Sequence, residues 1–412
     1  ATAAGQLTES LRLTSDDRLA VISDRDAEVG VLEFNHSVVA ICPDPNDIDL
    51  QRWAAGQADV TIYVTDVTGD RTRASTVLAG IEHELVLLHP PNTTCPSDTV
   101  RWLTPLRPAN HHHVRLDRRA DLRRVVRRIR SQEVVLVLSG GGARGMAHSG
   151  LYQALTESGI ELDAVAGVSS GAIGAAMIAM GYDAAKVGRR ATELFSEGGS
   201  PIDFTIPAVA LSSGARLNAR LKTLCGETLR QEDMWIPTVF VSANLTEATT
   251  HVHSKGLVWR ALRATTAIPG VFPPVAEPEG LLVDGGVIDN LPVALVRDLH
   301  PGATVIASNV GRRLELSPDL FPSTAEVSGW RAARSRLGRG ESIPSMVRIL
   351  AQLTTLGGAG SAQALGDLNI EFDLDAYGMF DFKRGPEIVA DGYAQSRGPV
   401  AEWAAKHPRM WD

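Results

Sequence analysis

Apolar runs separated by glycine-rich turns dominate the middle of this 412-residue chain. From residue 133 onward, short continuous apolar runs such as VVLVL at 134–138 and AVAGV at 164–168 each lead into a turn and a helical stretch. Such apolar strands alternating with helices are typical of a mostly parallel sheet that is covered on both faces. We therefore predict an α/β fold with three layers, in which helices flank a mostly parallel central sheet.

The pattern before and after this region is less regular. Residues 1–115 contain strand-like runs with helix-like segments between them, around Trp53 and at 99–103, which predicts a small α/β unit. Apolar spacing also predicts a helix at 343–356 in the tail. The predicted divisions are a small α/β region at 1–115, a linker helix at 116–132, a main domain at 133–310 and a C-terminal extension at 311–412 that packs on it.

The linker is strongly amphipathic. One helical face carries Leu122, Val125, Val126 and Ile129, at the i, i+3, i+4, i+7 spacing. The other face carries seven arginines between 118 and 130. We favour a solvated linker helix that packs on the core. The alternative is a basic strip at 118–130 that touches the anionic head groups of a peripheral membrane surface.

Composition narrows the class of protein. With 44% apolar and 21% charged residues the chain is typical of a globular protein, and its net charge of -8 argues against nucleic-acid binding. Three scattered cysteines predict no disulfide framework. The histidines at 111–113 are adjacent and would point in different directions, so we expect a loop or surface position there and no metal site.

Membrane and targeting signals are weak. The apolar run at 164–181 approaches membrane-spanning length, but paired serines and glycines interrupt it, so we predict a strand, a turn and a buried helix. The first residues lack the pattern of a secretion signal. Since the chain does not begin with Met, we expect a processed protein or an excerpt of a longer one.

The first motif with chemical meaning is SGGGARGMAHSG at 139–150, which follows a predicted strand. Gly140, Gly142 and Gly145 have the G-x-G-x-x-G spacing of a dinucleotide-binding loop. A nucleotide-binding oxidoreductase is therefore one hypothesis. The other is that the loop's N–H groups bind a negative charge that appears during catalysis.

The second motif favours the catalytic hypothesis. GVSSG at 167–171 is a G-x-S-x-G nucleophile elbow, in which Ser169 stands on a sharp strand-to-helix turn. A dinucleotide site needs an acidic residue at the end of the second strand, yet Glu161 and Asp163 lie at its beginning. The flanking elbow positions are Gly167, Val168, Ser170 and Gly171.

The third motif, VDGGVIDNLP at 283–292, supplies a candidate base. Asp284 ends a predicted strand, and the loop that follows contains Gly285, Gly286, Asn290 and Pro292. The order Ser169, Asp284, His300 formally matches a catalytic triad, but His300 lies in the last turn of a predicted helix. We favour a serine–aspartate dyad in which a dry pocket raises the pKa of Asp284.

Together, in this order, the three motifs resemble those of patatin-like phospholipases. The resemblance implies that Ser169 is the nucleophile and Asp284 its partner. It also implies an oxyanion hole at 140–145, formed by Gly140, Gly141, Gly142, Ala143, Arg144 and Gly145. RATTAIPGVFPP at 263–274 and MFDFKRGPEIVADGYAQSR at 379–397 are similar to the neuropathy target esterase branch, whose members are lysophospholipases.

The resemblance implies hydrolysis of the acyl ester of a lysophospholipid or similar lipid, with no metal and no cofactor. It also implies membrane association on the cytoplasmic side, with a membrane segment upstream in the parent protein. We further expect the proline-rich loop at 265–274 to line the acyl entrance. Besides the oxidoreductase, a catalytically silent membrane-binding regulatory module remains an alternative.

Overall fold

The computed structural model describes residues 19–23, 38–44, 46–197, 199–311, 349 and 366–407. Within these ranges the strands are β1 (Leu19–Ile22), β2 (Val38–Ile41), β3 (Ile62–Asp66), β4 (Glu84–His89), β5 (Asn110–Arg115), β6 (Val134–Leu138), β7 (Ala164–Val168), β8 (Thr238–Asn244), β9 (Thr249–His253), β10 (Val275–Glu277), β11 (Gly280–Asp284), β12 (Thr304–Asn309) and β13 (Leu368–Glu371). The α-helices are α1 (Ile48–Gln57), α2 (Arg71–Val77), α3 (Val100–Leu106), α4 (Arg119–Ile129), α5 (Ala147–Glu157), α6 (Ser170–Ala179), α7 (Ala184–Ala191), α8 (Ala215–Cys225), α9 (Val258–Thr265), α10 (Val293–Leu299) and α11 (Gly385–Lys406). The helix predicted at 343–356 lies outside the described residues.

The main sheet follows the order β10–β11–β8–β7–β6–β12–β13, and β9 pairs with β8 outside this path. Its centre is parallel, from β8 through β7, β6 and β12 to β13. The antiparallel pairs are those of β8 with β9 and β11, and of β10 with β11. The prediction of a mostly parallel central sheet is confirmed.

Helices cover both faces of this sheet, and β6 shows why. Its residues alternate between two hydrophobic cores: Val134, Leu136 and Leu138 belong to the larger, and Val135 and Val137 to the smaller. The larger core includes buried residues of α5 and α6, and the smaller includes those of α10. Burying a side chain of this size contributes about 1.5–3 kcal/mol, so a strand that is apolar at every position stabilises both layers. The predicted three-layer arrangement is confirmed.

The strand β8 is longer than its neighbour β7, and this positions the site. Residues 238–241 of β8 pair with β7, whereas 242–244 pair with β11. Since β9 occupies residues 240–244 along the opposite edge, β11 lies on the same edge as β7. It runs in the other direction and ends at Asp284, close to where β7 ends at Val168.

The C-terminal helix α11 packs closely on α5. A Cβ at Gly150 would collide with the backbone of α11, and one at Gly392 with the backbone of α5. Glycine at both positions lets the two backbones touch, so the last helix seals the core beside the first helix of the main domain.

The N-terminal region contains a three-stranded parallel sheet, β3–β4–β5. The prediction of a loop or surface position for the three histidines at 111–113 is wrong, because they lie on β5, where His112 and His113 are buried. The Nε2 atoms of His111 and His113 lie 3.1 and 2.8 Å from the Glu232 carbonyl oxygen. These histidines therefore connect the small sheet to the main domain.

The arginine strip on α4 requires a correction. Its apolar residues Leu122, Val125 and Val126 pack on the small sheet, as expected for a linker helix. Four of the seven arginines, however, form ion pairs within the protein. Arg123 pairs with Glu161, Arg124 with Asp121, Arg127 with Glu161 and Asp163, and Arg128 with Glu84 and Glu133.

These pairs argue against the interpretation of 118–130 as a strip that faces lipid head groups. Arg124 is 5% exposed, and Arg127 holds Asp163 at 2.7 Å. A guanidinium that is buried and paired with a carboxylate has little charge to offer a membrane. Arg118 and Arg119, at the start of the helix, are exposed. Among the described residues, no helix combines the length and apolarity needed to cross a bilayer.

Candidate active site

Ser169 stands in a strained turn between β7 and α6. Its backbone has φ 53° and ψ -124°, a conformation that costs a residue with a side chain roughly 1–3 kcal/mol. A hydrogen bond stabilises this turn: Ser169 N–H donates to Thr265 Oγ1 at 2.9 Å. The Thr265 hydroxyl in turn donates to the Val241 carbonyl oxygen on β8. This arrangement presents the Ser169 side chain at the carboxyl edge of the sheet.

Asp284 reaches the same point from β11. It is 2% exposed, its N–H donates to the Ala267 carbonyl at 3.0 Å, and its Oδ1 accepts Gly286 N–H at 2.9 Å. Burial raises the pKa of its carboxyl to about 6, against the opposing effect of hydrogen bonds from the Ser169 side chain and Gly286 N–H. The structure therefore brings a serine hydroxyl and a carboxyl of raised pKa into the lining of one cleft.

The glycine loop after β6 lines the same cleft as Ser169 and Asp284. Gly140 and Asn290 exchange two hydrogen bonds of 3.1 Å, from Gly140 N–H to Asn290 Oδ1 and from Asn290 Nδ2 to the Gly140 carbonyl. Gly141 N–H donates to Ser170 Oγ at 3.0 Å. Ala143 N–H donates to the Met379 carbonyl at 2.8 Å. The interpretation of the loop as a phosphate cradle is disfavoured, because three of its N–H groups already have acceptors.

Gly142 is the exception in this loop. Its N–H donates to no acceptor among the described residues, and it lines the cleft. Its φ of +62° favours glycine, and a Cβ there would collide with the Met379 carbonyl oxygen. The N–H of Ser170, at the start of α6, likewise has no acceptor in the described part of the chain. Two amide donors therefore remain available beside Ser169.

Ser169 and Asp284 line a small cleft that is open to solvent. Its lining consists of Gly140, Gly141, Gly142, Ser169, Ile268, Asp284, Asn290 and Met379. Ile268 comes from the loop at 265–274, which was predicted to line an acyl entrance, and Met379 from the segment before α11. The lining therefore combines the apolar side chains of Ile268 and Met379 with the polar side chains of Ser169, Asp284 and Asn290.

The remaining predicted residues shape the elbow and the loops. Val168 is buried at the end of β7, and Arg144 is buried with its Nε donating to the Gly141 carbonyl at 3.3 Å. A Cβ at Gly145 would collide with Ser170 Oγ. At Gly167, Gly171 and Gly285 it would collide with the backbone of neighbouring elements. Pro292 lies directly before α10.

No histidine of the described residues lines the cleft. His300 Nδ1 is 3.2 Å from Glu133 Oε1, at the amino end of β6, whereas the glycine loop begins at its carboxyl end. Five strand residues, roughly 16 Å, separate these ends. The Nδ1 and Nε2 atoms of His148 are engaged with Ser308 and the Ser139 carbonyl, and burial lowers its pKa to about 4. Burial also lowers the pKa of His253, to about 3.

Three contributors to the site were missed by sequence reasoning. Thr265 holds Ser169 N–H, the Ser170 hydroxyl holds Gly141 N–H, and the Met379 carbonyl holds Ala143 N–H. Ser170 was recognised only as a small neighbour of the nucleophile. Thr265 and Met379 lie in segments that resemble the family, but no local pattern reveals these hydrogen bonds, because each residue acts across a tertiary contact with a distant segment.

Comparison with known sequences gives a consistent family. A family model described as patatin-like phospholipase matches residues 136–297. The chain is 30% identical over 360 residues to patatin-like phospholipase domain-containing protein 6 of Homo sapiens, covering 78% of this chain and 26% of that protein. It is 36% identical over 309 residues to an uncharacterized NTE family protein of Mycobacterium tuberculosis, covering 73% of this chain and 51% of that protein.

A third relative carries an activity in its name. Lysophospholipase nte1 of Emericella nidulans is 33% identical over 291 residues, covering 68% of this chain and 19% of that protein. This chain therefore spans a fifth to a half of the length of these relatives. The solved structure of VipD from Legionella pneumophila aligns over 66% of this chain and 67% of its own, at 15% identity and a TM-score of 0.35, too weak a likeness to carry an argument.

Proposed function

Since the chain belongs to the patatin-like phospholipase family, we propose that it is a serine esterase that removes the acyl chain from a lysophospholipid or a related lipid. The observation that carries the proposal is that Ser169, on a strained turn, and the buried Asp284 carboxyl line one and the same cleft. This pair shares its cleft with the apolar side chains of Ile268 and Met379, and Gly142 N–H and Ser170 N–H have no acceptor among the described residues. The name of the fungal relative supports the choice of lysophospholipid as substrate.

In the first half of the reaction, Ser169 Oγ attacks the ester carbonyl carbon, and its proton passes to the Asp284 carboxylate. An aspartate with an ordinary pKa near 4 is a poor base for a hydroxyl group. Burial brings the pKa of Asp284 to about 6, which improves the proton transfer while leaving most of the carboxyl ionised at pH 7.

The negative charge on the tetrahedral intermediate needs donors that are already in place. We assign this role to Gly142 N–H, with Ser170 N–H at the start of α6 as the second donor. Gly141 N–H was expected to take part, but its bond to Ser170 Oγ makes it a support for the loop. The two hydrogen bonds between Gly140 and Asn290 fix the position of the glycine loop beside Ser169.

In the second half of the reaction, the intermediate collapses and the bond to the alcohol oxygen breaks. The leaving oxygen takes the proton from Asp284, and the acyl group remains on Ser169. A water molecule then attacks the acyl carbon while Asp284 accepts its proton. Collapse of the second intermediate releases the fatty acid and returns the proton to Ser169 Oγ. The sum is ester plus water giving acid plus alcohol.

A serine-directed fluorophosphonate probe tests the proposal, together with turnover of a short soluble ester and of a lysophospholipid. The intact protein should be labelled and should hydrolyse both substrates, and Ser169→Ala should do neither. The matched control is Ser254→Ala, which removes an exposed hydroxyl after β9 and should leave labelling unchanged. Equal labelling of Ser169→Ala and the intact protein, or no labelling of either, would refute the proposal.

A further inference from the structure

One loop exposes large apolar side chains to an unusual extent. Phe204, Ile206 and Val209 are 82%, 85% and 73% exposed. The other large exposed hydrophobic side chains in the described ranges are 38–52% exposed. Clustered exposure of this kind on a globular protein marks a surface that binds a partner or a membrane. We call residues 204–209 the apolar finger.

The apolar finger is a built feature of the protein. The Asp203 carboxylate at its base accepts hydrogen bonds from the hydroxyls of Ser212 and Ser213 and from Gly214 N–H. Phe204 and Ser212 form an antiparallel bridge across the neck of the loop. These bonds close the loop and hold its apolar tip away from the core. No charged residue occurs from 204 to 214, so inserting the tip into an apolar layer would not require burying a charge.

The finger is continuous with the wall of the cleft. Leu211 N–H donates to the Gly270 carbonyl and Ser212 N–H to the Val271 carbonyl, each at 2.9 Å. Both acceptors belong to the 265–274 loop, in which Ile268 lines the cleft beside Ser169. A surface that contacts the apolar finger therefore lies next to the loop at 265–274, which we predict to line the acyl entrance.

We infer that the apolar finger inserts Phe204, Ile206 and Val209 into the surface of a phospholipid bilayer and so brings the cleft to its lipid substrate. The inference rests on the proposed function, because a lysophospholipid substrate is drawn from lipid assemblies. A second copy of the chain fits less well. If each of the three side chains buries about 200 Å² of surface, together they bury about 600 Å². A standard protein interface buries roughly 800 Å² per partner.

The test is co-flotation of the full chain with neutral phosphatidylcholine vesicles, in a Ser169→Ala background so that no lipid is consumed. The protein should float with the vesicles equally at about 0.1 and 0.5 M salt, because apolar insertion is not screened. Adding Phe204→Ser and Ile206→Ser should reduce the bound fraction by about tenfold or more. Thermal melting verifies that the variant is folded.

Two control variants sharpen this test. Leu299→Ser removes a 42% exposed leucine at the end of α10, beside His300 at the opposite edge of the sheet, and should leave binding unchanged. The double variant Arg118→Glu, Arg119→Glu reverses two exposed charges at the start of α4. It should also leave vesicle binding unchanged. Loss of binding in the arginine variant alone would overturn the inference in favour of the basic strip.

The inference is also overturned if the protein fails to float, or if the Phe204/Ile206 variant floats as well as its parent. Sedimentation that shows a dimer dissolved by the same substitutions, without vesicle binding, would assign the finger to self-association and overturn it too. These outcomes are separate from failure of the esterase proposal. In that case the intact protein hydrolyses no ester, whereas flotation of the Ser169→Ala protein is unaffected.

Discussion

Replacing Asp284 with Asn should inactivate the enzyme and stabilise its fold at the same time. The substitution keeps the shape of the side chain and an oxygen that can accept Gly286 N–H, but it removes the negative charge. Without that charge no base remains for Ser169 Oγ. Loss of a general base typically lowers the rate by about 10²–10⁴-fold, and we expect a loss of this order in kcat/KM.

The stabilisation follows from the raised pKa of Asp284, about 6 in the folded protein against 3.8 as the reference value. Below about pH 4 the carboxyl is neutral in both states and burial costs nothing extra. Between about pH 4 and 6 the unfolded chain releases the proton first, so the folded protein loses stability as the pH rises. Above pH 6 the loss is complete, and it lowers the free energy of unfolding by about 3 kcal/mol. Asp284→Asn does not suffer this loss, because the amide carries no charge.

The measurement is a pair of pH series on the intact protein and Asp284→Asn, one of melting temperature and one of turnover of a short soluble ester. The melting temperatures should agree near pH 4 and separate up to about pH 6, with the variant higher by roughly 5 °C or more at pH 8. Turnover by the intact protein should fall about tenfold per pH unit below pH 6, because the base becomes protonated.

The matched control is Asp289→Asn, the same change five residues along the chain, where Oδ1 accepts Leu291 N–H outside the cleft lining. Burial raises the pKa of Asp289 as well, so some stabilisation is expected there, but turnover should survive. The reasoning is refuted if Asp284→Asn keeps more than a tenth of the activity. It is also refuted if its melting temperature follows that of the intact protein at every pH.

Three further substitutions test other parts of the site. Gly142→Ala should lower kcat at least about 10²-fold because its Cβ displaces an oxyanion donor, whereas Gly188→Ala, with only ordinary contact at 3.8 Å, should be harmless in a kinetic assay. Thr265→Val leaves Ser169 N–H without its acceptor, so it should lower the free energy of unfolding by about 1–3 kcal/mol and reduce kcat. Thr265→Ser should restore both stability and kcat. Failure of that rescue would contradict the hydrogen-bond explanation. His300→Ala should leave ester turnover intact, and its loss would favour a triad.

The fold class could be predicted because its signal is local. Five-residue apolar runs followed by glycine turns are visible in the sequence, and β6 and β7 lie where those runs occur. Adjacent parallel strands end at the same edge of the sheet, which brings the glycine loop beside Ser169. The roles assigned to Ser169 and Asp284 remain predictions, although the structure places the two side chains together.

Long-range partners could not be predicted from local patterns. The arginines of α4 form a charged strip in sequence, but Arg127 meets Asp163, 36 residues away, across the start of the main sheet. The histidines on β5 face a carbonyl 119–121 residues further along the chain. A pattern within one helix or strand carries no information on which distant carboxylate or carbonyl will meet it.

In the proposed mechanism, the split edge of β8 makes the activity a sensor of complete folding. Ser169 and Asp284 are 115 positions apart in the sequence and meet only because one strand pairs with β7 along its first half and with β11 along its second. Bringing two such distant positions together costs loop-closure entropy, which the pairing of both halves of β8 must offset. A partly folded chain would therefore carry an inert serine, and the first hydrolysed ester would report that both halves of β8 are paired.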